Sequence, residues 1–252
     1  MGDGKQAPLP HPIPMHRRIL FSLALPAWVF LGFMLAQAMV LALIAALSYI
    51  GASFEEVNAT VFNAVGGAVI YIVSIVLVIG VPWLVKQRPT SLAELGLQRW
   101  PVWRDGAWTI AGAIAYFVIT SVIMTIALQL LPFVDSGQAQ ETGFAQASTQ
   151  LELVMAFITL VVMAPIAEEV LFRGYLLGKL RKYASLWVSI LITSVLFGIV
   201  HFQWNVGIDV FALSIVLCLL KVYSGSLWPS ILLHMLKNGL AFYLLFINPS
   251  LL

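Results

Sequence analysis

Glu168, Glu169 and Arg173 stand within six positions of one another in an otherwise apolar run, Ala164-Pro-Ile-Ala-Glu-Glu-Val-Leu-Phe-Arg-Gly174. A charged side chain at the centre of a bilayer costs about 2.5–3.5 kcal/mol on insertion scales, so three together call for a chemical reason. Helix geometry separates their roles. Glu169 and Arg173 are i, i+4 neighbours and can pair along one face. Glu168 points about 100° away and has no basic partner on its own helix. One carboxylate is therefore expected to be tied down and the other to be free for chemistry.

Further polar groups follow in the second half of the chain. His201 closes the run Phe197-Gly-Ile-Val-His201, and His234 and Asn238 share a face at i, i+4. Lys237 lies near the same side without a role to assign, and Asp209 reads as a helix N-cap or loop residue. No ionisable residue stands well inside an apolar run of the first half, so function is expected to concentrate in residues 164–238. Glu168 is seventeen residues before Ser185 and His201 sixteen after it. In an antiparallel hairpin turning there, the two are level, about 25 Å from the turn. A carboxylate beside a neutral imidazole can bind a water and take its proton. A second histidine and an asparagine on a neighbouring helix can donate to an oxyanion. These are the parts for peptide hydrolysis without a covalent intermediate. Glu168, His201 and His234 equally match a ligand set for a divalent metal such as zinc. Ser230, at i, i+4 from His234, lacks the context of a serine nucleophile. Cys218 is the lone cysteine and reads as a small core residue.

The elements that must position these groups are membrane helices. Of the 252 residues, 61% are hydrophobic and 10% charged, with a mean hydropathy of +0.98. A soluble domain carries about 25% charged residues. The fold class is therefore all-α, a polytopic helical bundle of about seven transmembrane helices in one membrane domain. Apolar runs cover roughly 22–48, 61–85, 107–131, 151–182, 185–202, 209–222 and 227–247. The stretch Gln203 to Gly207 reads as a break, so that the fifth run stops well short of the far face. Residues 1–18 read as a cytoplasmic tail, disordered over its proline-rich part, and 19–252 as the membrane domain with its motif-bearing core at 150–248. The first apolar run is too long for a cleaved signal peptide and reads as an uncleaved span. Basic residues at Arg17, Arg18, in the 86–105 loop and at Lys179–Lys182 put the N-terminus in the cytoplasm. Trp100, Trp103 and Trp108 suit the headgroup zone.

Glu168-Glu169-x-x-x-Arg173, Phe197-x-x-x-His201 and His234-x-x-x-Asn238, in this order on successive helices, resemble the motifs of the CAAX protease and bacteriocin-processing family of intramembrane endopeptidases, related to the Ras-converting enzyme. Ser91-Leu-Ala-Glu-Leu-Gly-Leu97 resembles a further family feature. The resemblance implies a glutamate-dependent endopeptidase. Glu168 and His201 would activate water, His234 and Asn238 would stabilise the oxyanion, and Glu169 and Arg173 would orient them. It implies CAAX-type processing or peptide maturation in a bacterial or archaeal membrane. The partners would be membrane lipids and a peptide or prenylated, membrane-bound substrate; no nucleic acid is expected. No cofactor is favoured, with a metal-dependent variant left open. Two other classes fit the composition: a non-proteolytic immunity or binding protein on the same fold, and a proton-relay transporter. The intact motif set disfavours the first, and the lack of two similar halves the second.

Overall fold

The structure, a computed structural model, describes residues 13–134 and 140–251. Most of the proline-rich tail and Asp135 of the acidic loop lie outside the described residues. Among those described the chain is helical, and six helices are long and apolar enough to cross a membrane. These are α1 (Met15–Tyr49), α2 (Ala59–Lys86), α4 (Trp103–Leu130), α5 (Gln150–Leu180), α7 (Trp204–Ser224) and α8 (Trp228–Ile247). A shorter apolar helix, α6 (Leu186–Ile199), completes the seven, and a single turn, α3 (Leu92–Leu95), sits in the loop after α2.

Two boundaries differ from the sequence reading. Helix α1 begins at Met15, ahead of the apolar run, so Arg17 and Arg18 form its first turn. Helix α7 begins at Trp204, so the break is confined to the residues just before it, and Asp209 lies inside the helix. The shortness of α6 is as expected. At 1.5 Å per residue its 14 residues reach about 21 Å, less than the ~30 Å hydrocarbon core.

Local chemistry sets the helix ends. Asn58 caps α2 by accepting from the Thr60 and Val61 amides. Thr149 and Glu152 form a capping box at the start of α5, and Ser91 and Glu94 do so for α3. Gly225, at φ +68°, ends α7 in the left-handed conformation that glycine adopts without strain.

Helix α5 is the centre of the bundle. All eight residues from Val170 to Leu177 are buried, including Arg173, whereas α1, α2 and α4 present long apolar side chains outward. That is the pattern of a bundle whose outer helices meet lipid. Helix α5 departs from ideal winding twice, with π-helical segments at Ile158–Met163 and Val170–Leu177 on either side of Pro165 and the glutamates. Such wide turns are frequent at functional sites. On the outside of α5, α3 is docked against Gly174, where a Cβ would stand 3.0 Å from Leu95 Cδ2. Lys179 and Lys182 close on Glu94 at 3.4 and 3.7 Å. The Ser91–Leu97 stretch therefore braces the end of the helix that carries the charged motif.

Candidate active site

Glu169 is the hub of the buried charges. Its Oε1 accepts from Arg173 Nη1 at 2.7 Å and from His234 Nδ1 at 2.9 Å, with Glu169 and Arg173 fully buried. The i, i+4 pair is thus present. It also clamps a histidine from α8, a contact the spacing did not reveal. A carboxylate only accepts, so the Nδ1 proton of His234 is committed to Glu169, and His234 Nε2 faces the other way. There it stands 3.8 Å from Glu168 Oε2.

Glu168 differs from its neighbour in both exposure and partners. Its side chain keeps 16% exposure against 0% for Glu169, so of the two it is the one a water can reach. It is not free of partners, however. The Tyr71 hydroxyl on α2 donates to Glu168 Oε1 at 2.8 Å. This corrects the expectation that the first half of the chain contributes no ionisable group. A signal was present: Tyr71 lies near the middle of α2, away from the interfacial belts where tyrosine is common, and a phenol at that depth needs a partner.

His201 ends the turn after α6, and its Nδ1 lies 2.7 Å from the Phe197 carbonyl. A carbonyl can only accept, so Nδ1 carries the proton and Nε2 of the neutral ring carries the lone pair. The two histidines meet over one side chain. The buried Phe197 ring is edge-on to His201 at 5.0 Å and to His234 at 5.8 Å, with the Arg173 guanidinium 4.1 Å above it. Glu168, Lys237 and His234 all stand within electrostatic range of the His201 ring. The direct contact of Glu168 is nevertheless with His234.

Asn238 Nδ2 donates to the Leu160 carbonyl at 2.9 Å. The i→i+5 register of the first π segment gives a reason. In that register the partner of Leu160 is residue 165, and Pro165 has no N–H to offer. One amide hydrogen of Asn238 thus repairs a proline defect, and the second is left for other work.

A second polar cluster adjoins the first. Lys237 pairs with Asp209 at 3.2 Å, and Asp209 also accepts from the Tyr116 and Thr120 hydroxyls of α4. Asp209 is therefore neither an N-cap nor a loop residue, and Lys237 has a partner. Ser230 donates to the Leu217 carbonyl, and Cys218 is buried and free.

Glu168 Oε2 and His234 Nε2 are close enough to share an ion, and the backs of both histidines are held as in a metal site, by a carboxylate and a carbonyl. Among the described residues, however, no three histidine, cysteine, aspartate or glutamate side chains gather into a metal-holding group.

Fold and site together define an integral membrane helical bundle with a buried carboxylate–histidine centre. Residues 150–240 match the family model Rce1-like, described as type II CAAX prenyl endopeptidase Rce1-like. The resemblance read from the motifs is borne out over that segment, and the family it points to is one of membrane endopeptidases. An uncharacterized Escherichia coli protein of 24.3 kDa is 30% identical over 134 residues, 51% of this chain and 58% of that protein. The UPF0177 protein YxdF of Lactococcus lactis is 26% identical over 132 residues, 52% of this chain and 68% of that one. YdiL of Bacillus subtilis, provisionally named a membrane peptidase, is 26% identical over 131 residues, 51% and 47% of the two chains. The chain thus spans roughly half to two thirds of the length of these relatives. No solved structure matches.

Proposed function

We propose that this chain is an intramembrane endopeptidase that hydrolyses a peptide bond with a water activated by Glu168. The observation that carries the reading is the division of labour between adjacent glutamates. Glu169 Oε1 is held by Arg173 and His234, while Glu168 keeps a partly exposed side chain beside His234. Glu168 takes one proton of the water as its oxygen bonds to the scissile carbonyl carbon. His201 accepts the water's other hydrogen at Nε2 and so orients it. The oxyanion receives hydrogen bonds from the second amide hydrogen of Asn238 and from His234 Nε2. His234 can donate from Nε2 only as the imidazolium, because its Nδ1 proton already serves Glu169. Breaking the C–N bond returns the proton from Glu168 to the leaving amine.

The substrate in this reading is a membrane-tethered peptide or protein, prenylated CAAX-type chains included, and the N-terminus is cytoplasmic. A cavity of about 670 Å³ between α4, α6 and α7 supports an apolar substrate moiety. Its lining includes Gly198, Ile199, Phe202 and Gln203, which flank His201 in the chain. The test is cleavage of prenylated and unmodified reporter peptides by the purified protein before and after exhaustive chelation, with metal content measured. Cleavage that survives chelation is the expected result. Loss that zinc or cobalt restores would replace this mechanism with a metal-dependent one. Peptide binding without cleavage would favour an immunity or binding protein.

A further inference from the structure

We propose that Tyr71 is a positioning residue of the site, its phenol fixing the direction of the Glu168 carboxylate. This rests on the reading of Glu168 as the general base. Tyr71 stands on α2, outside the segment 150–240 that carries every motif residue, so its role is not one the motifs assign.

Three observations support it. The Tyr71 hydroxyl reaches Glu168 Oε1 at 2.8 Å, a normal hydrogen-bond length, from a helix 97 residues away in sequence. At 3.8 Å His234 is beyond hydrogen-bond distance of Glu168, and Arg173 and Lys237 pair with Glu169 and Asp209, so the phenol is the group that anchors the carboxylate. With Oε1 occupied, Oε2 is the oxygen turned toward His234, and the carboxylate cannot rotate to exchange them without losing the bond. Helix α2 thereby becomes part of the active site, and its packing against α5 carries a catalytic requirement.

Without the phenol the Glu168 carboxylate is free to turn away from the direction in which it meets the water. The loss then falls on the chemical step: kcat drops by about ten- to a hundredfold, the worth of a hydrogen bond to a charged group, while KM stays close to the parent's.

The experiment compares the full chain with Tyr71→Phe and Glu168→Gln in lipid nanodiscs, measuring kcat and KM separately for a reporter peptide. Two further proteins carry 4-aminophenylalanine and 3-fluorotyrosine at position 71, a weaker and a stronger donor of nearly the same shape. The expected result is an inactive Glu168→Gln, a Tyr71→Phe with kcat lowered at a KM close to the parent's, and kcat recovered in the order of donor strength by the other two. If Glu168→Gln stays active, the proposed function itself falls, and this inference with it. If Glu168→Gln is dead but Tyr71→Phe keeps the parental kcat, or the 4-aminophenylalanine protein does no better than Tyr71→Phe, Tyr71 serves packing alone and the inference is overturned. Should Tyr71→Phe fail to fold, kcat in the two analogue proteins decides: an order that follows donor strength supports the inference, and equal values overturn it.

Discussion

Substitution of Glu169 by glutamine probes the buried hub. The change leaves the Arg173 guanidinium charged and fully buried, with its 2.7 Å partner gone. Breaking a buried pair from one side costs about 3–5 kcal/mol. At about 2–4 °C per kcal/mol for a chain of this size, the melting temperature in detergent should fall by about 6–20 °C. The double variant Glu169→Gln with Arg173→Met removes the stranded charge and should recover part of that loss. It should recover little activity, because His234 Nδ1 has lost its carboxylate and Phe197 its guanidinium cover. Stability and activity therefore separate in the double variant. The assay is thermal unfolding of the three purified proteins beside cleavage of one reporter peptide. A Glu169→Gln protein as stable as the parent, or a double variant with full activity, would refute the assignment of Glu169 as the clamp of both Arg173 and His234.

Two other expectations concern the periphery of the site. Asp209→Asn should destabilise more than Lys237→Met, because Asp209 keeps the Tyr116 and Thr120 hydroxyls when the lysine is removed, whereas Lys237 is left with a neutral amide. Both side chains keep some exposure, so the larger loss should be about 1–3 kcal/mol, measured by denaturation of the two variants. Glu94 links α3 to the end of α5. Partial burial pushes its carboxyl pKa up, but Lys179, the Ser91 amide and Lys182 outweigh this and hold it below the usual range. A depressed folded-state pKa means stabilisation that is present above the ordinary carboxylate pKa and lost as the pH falls through the folded-state value. The stability difference between the parent and Glu94→Gln, read from melting temperatures, should therefore be present at neutral pH and vanish on acidification.

The fold and the motif were legible because each rests on short-range pattern. Runs of apolar residues name the helices, and the i, i+4 spacing of Glu169 and Arg173 names their pair. What escaped depends on which helices become neighbours. The Tyr71–Glu168 bond joins α2 to α5, and the Lys237–Asp209 pair joins α8 to α7, with nothing in the local sequence of either partner to announce the other. Asp209 lies inside α7 although Gln203 to Gly207 is polar and glycine-containing enough to read as a break, because Trp204 opens the helix directly. The role of Asn238 at Leu160 needed the π register as well as Pro165, and backbone register is invisible to hydropathy.

The central claim is that Glu168, and not Glu169, takes the proton from water. The most direct measurement is cleavage of a reporter peptide by Glu168→Gln, with folding checked by melting temperature on the same preparation. Gln keeps the shape and can still accept from Tyr71, but it cannot take a proton at neutral pH. The expected protein folds with a melting temperature close to the parent's and shows no cleavage. A folded Glu168→Gln that cleaves the peptide at the parental rate would contradict the claim.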